Sequence, residues 1–426
     1  MSLLPDPVRQ LLARIKGRLD FDSARERLSP RTDQAPNLFH TTSRTTHEQV
    51  ARNWQRLHSA MSGQKIEAAE TQLFDSVTQK SASTYSGNIE NFIGCARIPV
   101  GIAGPLRVNG LNASGDYLVP LATSEAALVA SYSRGARVAT KAGGISAALL
   151  YEGVIRTPAF VFDDLLAAGA FVDCVATHAE DLKAVAERTT RYGKLCSLEP
   201  VIDANVVFLR CRYTTGDAAG QNMVTIATEA LCRDLIEKCP VTPKRWYVEG
   251  NFSGDKKASF LGFLTGRGRK VTASVVLPTK LIPRQLGVTV DDMLAYAEIA
   301  NLGARLSGQI GAQGHFANGL AALYLATGQD VACVAESAIG STRMEQHPDG
   351  LFMSVTLPNI LVGSVGGGTG LPTQTAALNL LGLKGAGCAD ALAEVVAATC
   401  LAGEISIMAA IAGGDFARAH QKLARG

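Results

Sequence analysis

The sequence predicts an α+β fold, a large domain around a buried central helix with a smaller α+β unit inserted into it. Between residues 158 and 247, helical patterns at Ala179–Arg188 and 224–238 alternate with strand-like runs such as NVVFLRC at 205–211. Beyond that stretch Ala-rich helices dominate, a composition that favours close packing around one long buried helix, expected within Phe316–Thr327. From Ile98 the composition shifts to Gly, Ala and β-branched residues, so a new domain begins near there.

Taken in chain order, residues 9–16 and 46–64 hold clustered charge spaced for amphipathic helices, giving an N-terminal helical region. The GIAGP segment at 101–105 reads as a turn before a strand. Thr123 and Ser124 are suited to cap a helix over 125–140, with Leu128, Val129 and Tyr132 facing a core and Glu125 in the first turn. No fixed-period repeat is present.

With 426 residues, 47% of them hydrophobic, the chain is long enough for two or three domains and a substantial core. Charged residues make up 19% and the formal net charge is +3, so no broad field of the kind that binds nucleic acid is implied. An anionic small molecule needs only a local cluster. The nine cysteines are scattered singly, without the close pairs of zinc or redox motifs, and fit free thiols in a reducing cytoplasm; no metal site is expected. The start of the chain lacks a signal peptide's basic and apolar regions, and Asp163, Asp164, Glu394 and Glu404 interrupt the later apolar segments, so a soluble protein without a membrane partner is expected.

Several segments carry residue types suited to anions and proton transfer. Exposed backbone N–H groups in the run GSVGGGTG at 363–370 are suited to phosphate oxygens, although alone the run reads as a tight turn. GDAAGQN at 216–222 is likewise compatible with a plain loop and cap. Asp255, Lys256 and Lys257 follow Glu249-Gly250-Asn251 in a Gly-bounded loop, where paired lysines can hold an anion or stabilise an oxyanion; a solvated charged loop is the bland reading. Asp330 ends an apolar helix and is accounted for by helix termination unless it meets a charged partner. His315, amid Gln313, Gly314 and Asn318, is compatible with polar packing, and His420 with an exposed terminal residue.

Together these segments change the reading, because over residues 85–425 the chain closely resembles the 3-hydroxy-3-methylglutaryl-coenzyme A reductases of class I type. The matching blocks are ENFIG at 90–94, IPVGIAGPL at 98–106, ATSE at 122–125, GDAAGQNM at 216–223, GNFSGDKK at 250–257, GQD at 328–330, the run from Gly363 to Thr369, and LAGE at 401–404 leading to His420. The resemblance implies that Glu125, Lys256, Asp330 and His420 are catalytic. Reducing a thioester to an alcohol takes two hydrides, hence two NADPH molecules in succession. Lys256 then stabilises the carbonyl oxygen's negative charge while Asp330 orients it. Glu125 supplies a proton to the aldehyde oxygen, and His420 protonates the departing coenzyme A thiolate.

The resemblance further assigns Ser131, Arg134 and Arg137 to coenzyme A. Arg156, Glu249, Asn251, Asp255, Lys257 and Asn318 fall to the rest of the acyl substrate, with Arg156 and Lys257 on its free carboxylate. The nicotinamide cofactor falls to Asp217, Asn222, Gly366, Gly367, Gly368 and Thr369, and its 2′-phosphate to Thr190, Arg191 and Tyr192, Arg191 being suited to bidentate phosphate binding. The implied division is an N-terminal helical region over 1–84, a large substrate-binding and dimerisation domain over 85–157 and 248–426, and an inserted NADPH-binding domain of ferredoxin-like topology over 158–247. A homodimer or higher oligomer, with active sites between subunits, is implied as well.

Two departures bear on the acyl group. Glu249 stands where class I enzymes usually have Ser, and Ala300 where they usually have Lys. Both remove favourable interaction with a carboxylate, unless Glu249 turns away, becomes protonated or pairs with Arg156 or another cation. Asp415 stands where a second, non-catalytic His is common. The leading expectation is reduction of 3-hydroxy-3-methylglutaryl-coenzyme A to mevalonate and coenzyme A. The alternatives are a reductase of another acyl thioester and a non-catalytic acyl-coenzyme A or nucleotide binding protein, against which retention of all four catalytic side chains argues.

Overall fold

The computed structural model describes residues 6–17, 20–31, 41–60 and 66–414. His420 and Asp415 lie outside the described residues. The chain forms two compact units, Met1–Cys95 and Ala96–Gly426.

The first unit is helical: α1 (Asp6–Lys16), α2 (Phe21–Leu28), α3 (His47–Ala60), α4 (Ile66–Leu73) and α5 (Ser76–Ser81). Val50 and Trp54, one turn apart on α3, pack with Ile66, Phe74 and Phe92 in a small core. The Trp54 indole N–H donates to the Ile93 carbonyl at 2.9 Å, which satisfies the buried donor.

The second unit is built on one mixed sheet of 11 strands. Its strands are β1 (Val100–Gly110), β2 (Ser114–Ala122), β3 (Ile145–Arg156), β4 (Ala159–Val161), β5 (Lys194–Asp203), β6 (Val206–Thr214), β7 (Arg245–Tyr247), β8 (Gly268–Pro278), β9 (Gly311–Ala312), β10 (Gly340–His347) and β11 (Gly350–Ile360). The main path runs β7-β4-β6-β3-β8-β11-β10-β9, with β1 and β2 joined beside β3 and β5 beside β6. The helices are α6 (Leu128–Lys141), α7 (Leu165–Thr177), α8 (Ala179–Arg188), α9 (Gln221–Lys238), α10 (Phe260–Thr265), α11 (Leu281–Leu286), α12 (Val290–Ser307), α13 (Phe316–Thr327), α14 (Val334–Ser337), α15 (Pro372–Leu381) and α16 (Ala389–Ala412).

Expectation and structure differ in four places. The GIAGP segment is part of strand β1, paired antiparallel with β2 through an irregularity between Ala103 and Leu106, and is not a turn. Helix α6 starts at Leu128, so Glu125 precedes it; Ala127 holds φ 70° and the Glu125 N–H donates to Thr123 Oγ1 at 2.9 Å, a local turn that competes with helix. Helix α13 is buried as expected, but the longest buried helix is α16, with 24 residues. Cys174 and Cys239 are joined by a disulfide, while the other seven cysteines are free. The 65-residue separation between these two hides the meeting of α7 with the end of α9.

Helix α16 organises the large unit. Gly135 on α6 lies against it so closely that a Cβ would meet the Ala402 carbonyl, and Gly403 on α16 faces the Tyr132 ring. Small residues thus set a short distance between α6 and α16. Glu394 sits on the same helix with no exposed surface; its carboxylate accepts from the N–H groups of Asn112 (2.8 Å), Ala113 (2.8 Å) and Leu149 (3.0 Å), and from Asn112 Nδ2. Those bonds replace water for a buried charge and tie α16 to the β1–β2 turn and β3. Among the described residues α16 alone is long and apolar enough to cross a membrane, and 83% of its most apolar window is buried in the fold.

Candidate active site

The loop between β7 and α10 presents Lys256. Its Gly250 N–H donates to the Thr157 carbonyl at 2.7 Å, and a Cβ at Gly250 would press on Ala159 and the Phe208 ring. Asn251 (φ 60°) and Lys256 (φ 56°) adopt left-handed backbone that non-glycine residues rarely take, a conformation concentrated at functional sites. Lys256 Nζ stands 2.9 Å from Asp330 Oδ2. Asp330 follows α13 directly after Gly328 and Gln329; its Oδ1 accepts from the Ala332 N–H at 3.0 Å, and its Oδ2 from Gln221 Nε2 at 3.3 Å. The hydrogen bond to Asp330 raises the Lys256 pKa despite partial burial, so the ammonium stays protonated.

Behind Lys256 lies a buried charge network. Arg267, with 1% of its side chain exposed, directs Nη1 to Glu336 Oε1 at 2.8 Å and Nη2 to Asp255 Oδ1 at 2.9 Å and Gln221 Oε1 at 3.1 Å. Arg156 Nη1 meets Glu249 Oε2 at 3.0 Å and Asp255 Oδ2 at 3.2 Å. Glu249 is therefore paired with Arg156, one of the three resolutions the sequence left open. Lys257 Nζ donates to the Asp255 carbonyl at 2.9 Å. Burial lifts Glu336 to about 7, against the pull of Arg267.

Glu125 lines a separate cleft of about 380 Å³ with Ser131, Arg134, Arg137, His315, Asn318 and apolar Ile407, Ala410 and Ile411. Ser131 Oγ lies 2.8 Å from Ser406 Oγ, and Arg134 donates to Ser406 through Nε (3.0 Å) and to its carbonyl through Nη2 (2.7 Å). These bonds place α6 cations along the cleft wall. Neither Lys256 nor Asp330 lines this cleft. The structure thus gathers the described catalytic candidates in two groups, Glu125 with its cleft and Lys256 with Asp330.

A third grouping surrounds the N-terminus of α9, whose first-turn N–H groups lack acceptors within the helix. Gly220 precedes it with φ 76°. The Thr190 hydroxyl donates to Met223 Sδ at 2.9 Å and accepts from the N–H groups of Tyr192 and Gly193, which puts Arg191 and Tyr192 beside this end. The Asp217 carbonyl accepts from the Ser364 N–H at 2.9 Å, joining the 216–222 loop to the Gly-rich run. Gln329 completes the link, accepting from the Gly363 N–H at 2.8 Å and donating to its carbonyl at 3.0 Å. Gly366 and Gly367 have positive φ and open space where a Cβ would stand, so a ligand can approach their backbone closely. The Asp217 carboxylate itself accepts from the Gly387 and Ala389 N–H groups at the start of α16, and the Thr369 hydroxyl donates to the Gly366 carbonyl.

Sequence reasoning missed Arg267, Gln221 and Glu336, and treated His315 as packing. Arg267 directly precedes β8 in a Gly-Arg-Gly-Arg stretch that gives no periodic signal, and its partners are 46 and 69 residues away.

Comparison with known proteins identifies the family. The family model described as hydroxymethylglutaryl-coenzyme A reductase matches residues 52–425. The 3-hydroxy-3-methylglutaryl-coenzyme A reductase of Aeropyrum pernix is 42% identical over 348 residues, covering 80% of this chain and 83% of that one. The enzyme of the same name from Haloferax volcanii is 39% identical over 375 residues, covering 87% and 91%. The structure of the class II 3-hydroxy-3-methylglutaryl-CoA reductase from Streptococcus pneumoniae, bound to NADPH in open conformations, shares the fold with TM-score 0.62 at 20% identity, covering 82% of this chain and 85% of that one. The chain belongs to the hydroxymethylglutaryl-coenzyme A reductase family.

Proposed function

We propose that this protein reduces 3-hydroxy-3-methylglutaryl-coenzyme A to mevalonate and free coenzyme A in a four-electron reaction that consumes two NADPH. The observation that carries the reading is the Lys256 ammonium held 2.9 Å from Asp330, a fixed positive group for a carbonyl oxygen, in a chain whose relatives bear this enzyme's name. When bound, NADPH supplies hydride. The α9 N-terminus, the open backbone at Gly366 and Gly367, and Arg191 beside Thr190 suit a pyrophosphate and an added 2′-phosphate.

Lys256 stabilises charge on the reacting oxygen, and Asp330 and Gln221 fix where its ammonium sits. Glu125 gives a proton to the reduced oxygen, and His420 one to the thiolate. Ser131, Arg134 and Arg137 receive coenzyme A, while Asn251, Asp255, Asn318, Arg156 and Lys257 receive the acyl part. Glu249 sets how much of Arg156 the substrate carboxylate obtains. Residues 158–247 form the cofactor domain; the strand order β7-β4-β6-β5, with helices between β4 and β5 and between β6 and β7, supports a ferredoxin-like unit. The separation of the Glu125 cleft from Lys256 supports a homodimer whose sites draw on both chains, working in the cytoplasm.

The test is stoichiometric. Purified protein with 3-hydroxy-3-methylglutaryl-coenzyme A should oxidise two NADPH per thiol released. Turnover confined to other acyl thioesters would reject the substrate, and tight acyl-coenzyme A binding without NADPH oxidation would reject catalysis.

A further inference from the structure

Glu404 is a charged residue in the middle of an apolar helix, with no exposed surface. Its carboxylate accepts from the N–H groups of Gly314 (2.8 Å) and His315 (2.9 Å) and from Thr342 Oγ1 (2.7 Å), and stands 3.0 Å from His315 Nδ1. Burial alone would raise its pKa, but the His315 hydrogen bond and charge, with Thr342 and Gly314, outweigh burial and hold it below the ordinary value. An ionised carboxylate only accepts, so Nδ1 carries a hydrogen and the ring tautomer is fixed. Nε2 is then the nitrogen available to the cleft. The His315 ring also stacks on Tyr132 with centroids 5.4 Å apart, so its plane is held from two sides. Glu125 lines the same cleft.

A histidine serving only as packing needs no more than a backbone acceptor. Placing a fully buried carboxylate behind it carries a desolvation cost that further donors must offset. An acid, an imidazole and an orienting carboxylate around one cleft is the arrangement that proton transfer uses.

We propose that His315, oriented by Glu404, is a relay residue that reprotonates Glu125. The inference rests on the reading of Glu125 as proton donor to the reduced carbonyl oxygen. In that step the Glu125 O–H bond breaks and the alcohol O–H bond forms, leaving a carboxylate. The His315 imidazolium then passes its Nε2 proton to that carboxylate: an N–H bond breaks, an O–H bond forms, and the neutral ring keeps Nδ1–H on Glu404. A solvent proton restores the imidazolium. No electrons move beyond those of the hydride.

The test compares His315→Ala, His315→Phe and Glu125→Gln in the full-length enzyme with 3-hydroxy-3-methylglutaryl-coenzyme A and NADPH. Both His315 variants should lose about 100-fold in kcat with little change in either KM, in keeping with loss of a proton-transfer group. Added imidazole should restore much of the His315→Ala rate, and leave His315→Phe, which fills the space and keeps the stacking on Tyr132, unchanged. Normal turnover by His315→Phe overturns the relay and makes the ring a packing element. A slow His315→Ala that imidazole does not recover overturns it as well. Normal turnover by Glu125→Gln removes the reading on which the relay stands, whereas an inactive Glu125→Gln beside an active His315→Phe removes the relay alone.

Discussion

Replacing Glu249 with serine should tighten the glutaryl substrate. In the free protein Arg156 is nearly buried and its Nη1 is committed to Glu249 Oε2 at 3.0 Å and Asp255 Oδ2 at 3.2 Å. Arg267 is committed in the same way to Glu336 and Asp255. Two guanidinium groups therefore face three carboxyl groups, and a substrate carboxylate arriving there adds another negative charge. Only by displacing Glu249 does it gain the full Arg156 interaction. Hydrogen bonds to charged groups are worth about 1.5–3 kcal/mol, and Asp255 keeps its share of Arg156, so the lower end applies and KM should fall about tenfold. The assay is the KM for 3-hydroxy-3-methylglutaryl-coenzyme A, with the inhibition constant of free coenzyme A as the control that senses everything except the acyl carboxylate. Adding Ala300→Lys should extend the effect. A Glu249→Ser enzyme with unchanged or raised KM would refute the competition for Arg156.

Two further changes test separate parts of the site. Arg191→Ala should raise the KM for NADPH far more than that for NADH, because the missing guanidinium leaves only the extra phosphate unpaired; equal weakening of both would make Arg191 structural. Burial lifts Glu336 from 4.5 to about 7, so the folded state holds a proton that the unfolded state has already released between those values. Its contribution to stability must fall as pH rises through that window, and Glu336→Gln should remove up to roughly 3 kcal/mol of the pH dependence of urea unfolding between pH 5 and 8.

How much could be read in advance depended on whether a signal was local. Helix α8 was legible to the residue because its apolar positions recur at helical spacing within ten residues. Lys256 and Asp330 were nameable as a motif, but each alone looked like surface chemistry; their meeting depends on a left-handed Lys256 and a chain reversal at Gly328, neither encoded by a pattern. The core role of α16 was obscured by Glu394 and Glu404, which read as interruptions. In the fold they are satisfied by N–H groups hundreds of residues away in sequence for Glu394 and about ninety for Glu404. Long-range backbone donors leave no trace in composition or period, so a buried charge of this kind is illegible until the partner loops are placed.

Helix α13 links the two groups of catalytic candidates. His315, which lines the Glu125 cleft, is the residue before its first turn, and Asp330, which holds Lys256, follows its last. A reacting oxygen must lie within hydrogen-bond reach of both groups, and neither Lys256 nor Asp330 lines the cleft that Glu125 shares with His315. We propose that a site using Glu125 and Lys256 together is completed by a second copy, Lys256 of one chain serving the cleft of its partner. On this reasoning Lys256→Ala and Glu125→Gln are each inactive as pure dimers, yet a mixed dimer contains one site with both groups intact. Random exchange makes half of the dimers mixed, with one of two sites working, so the mixture should recover about a quarter of the native rate. The measurement is NADPH oxidation after the two purified variants are mixed under conditions where labelled chains exchange. Complete exchange with no recovered activity would place both groups in a single-chain site and overturn the shared-site reading.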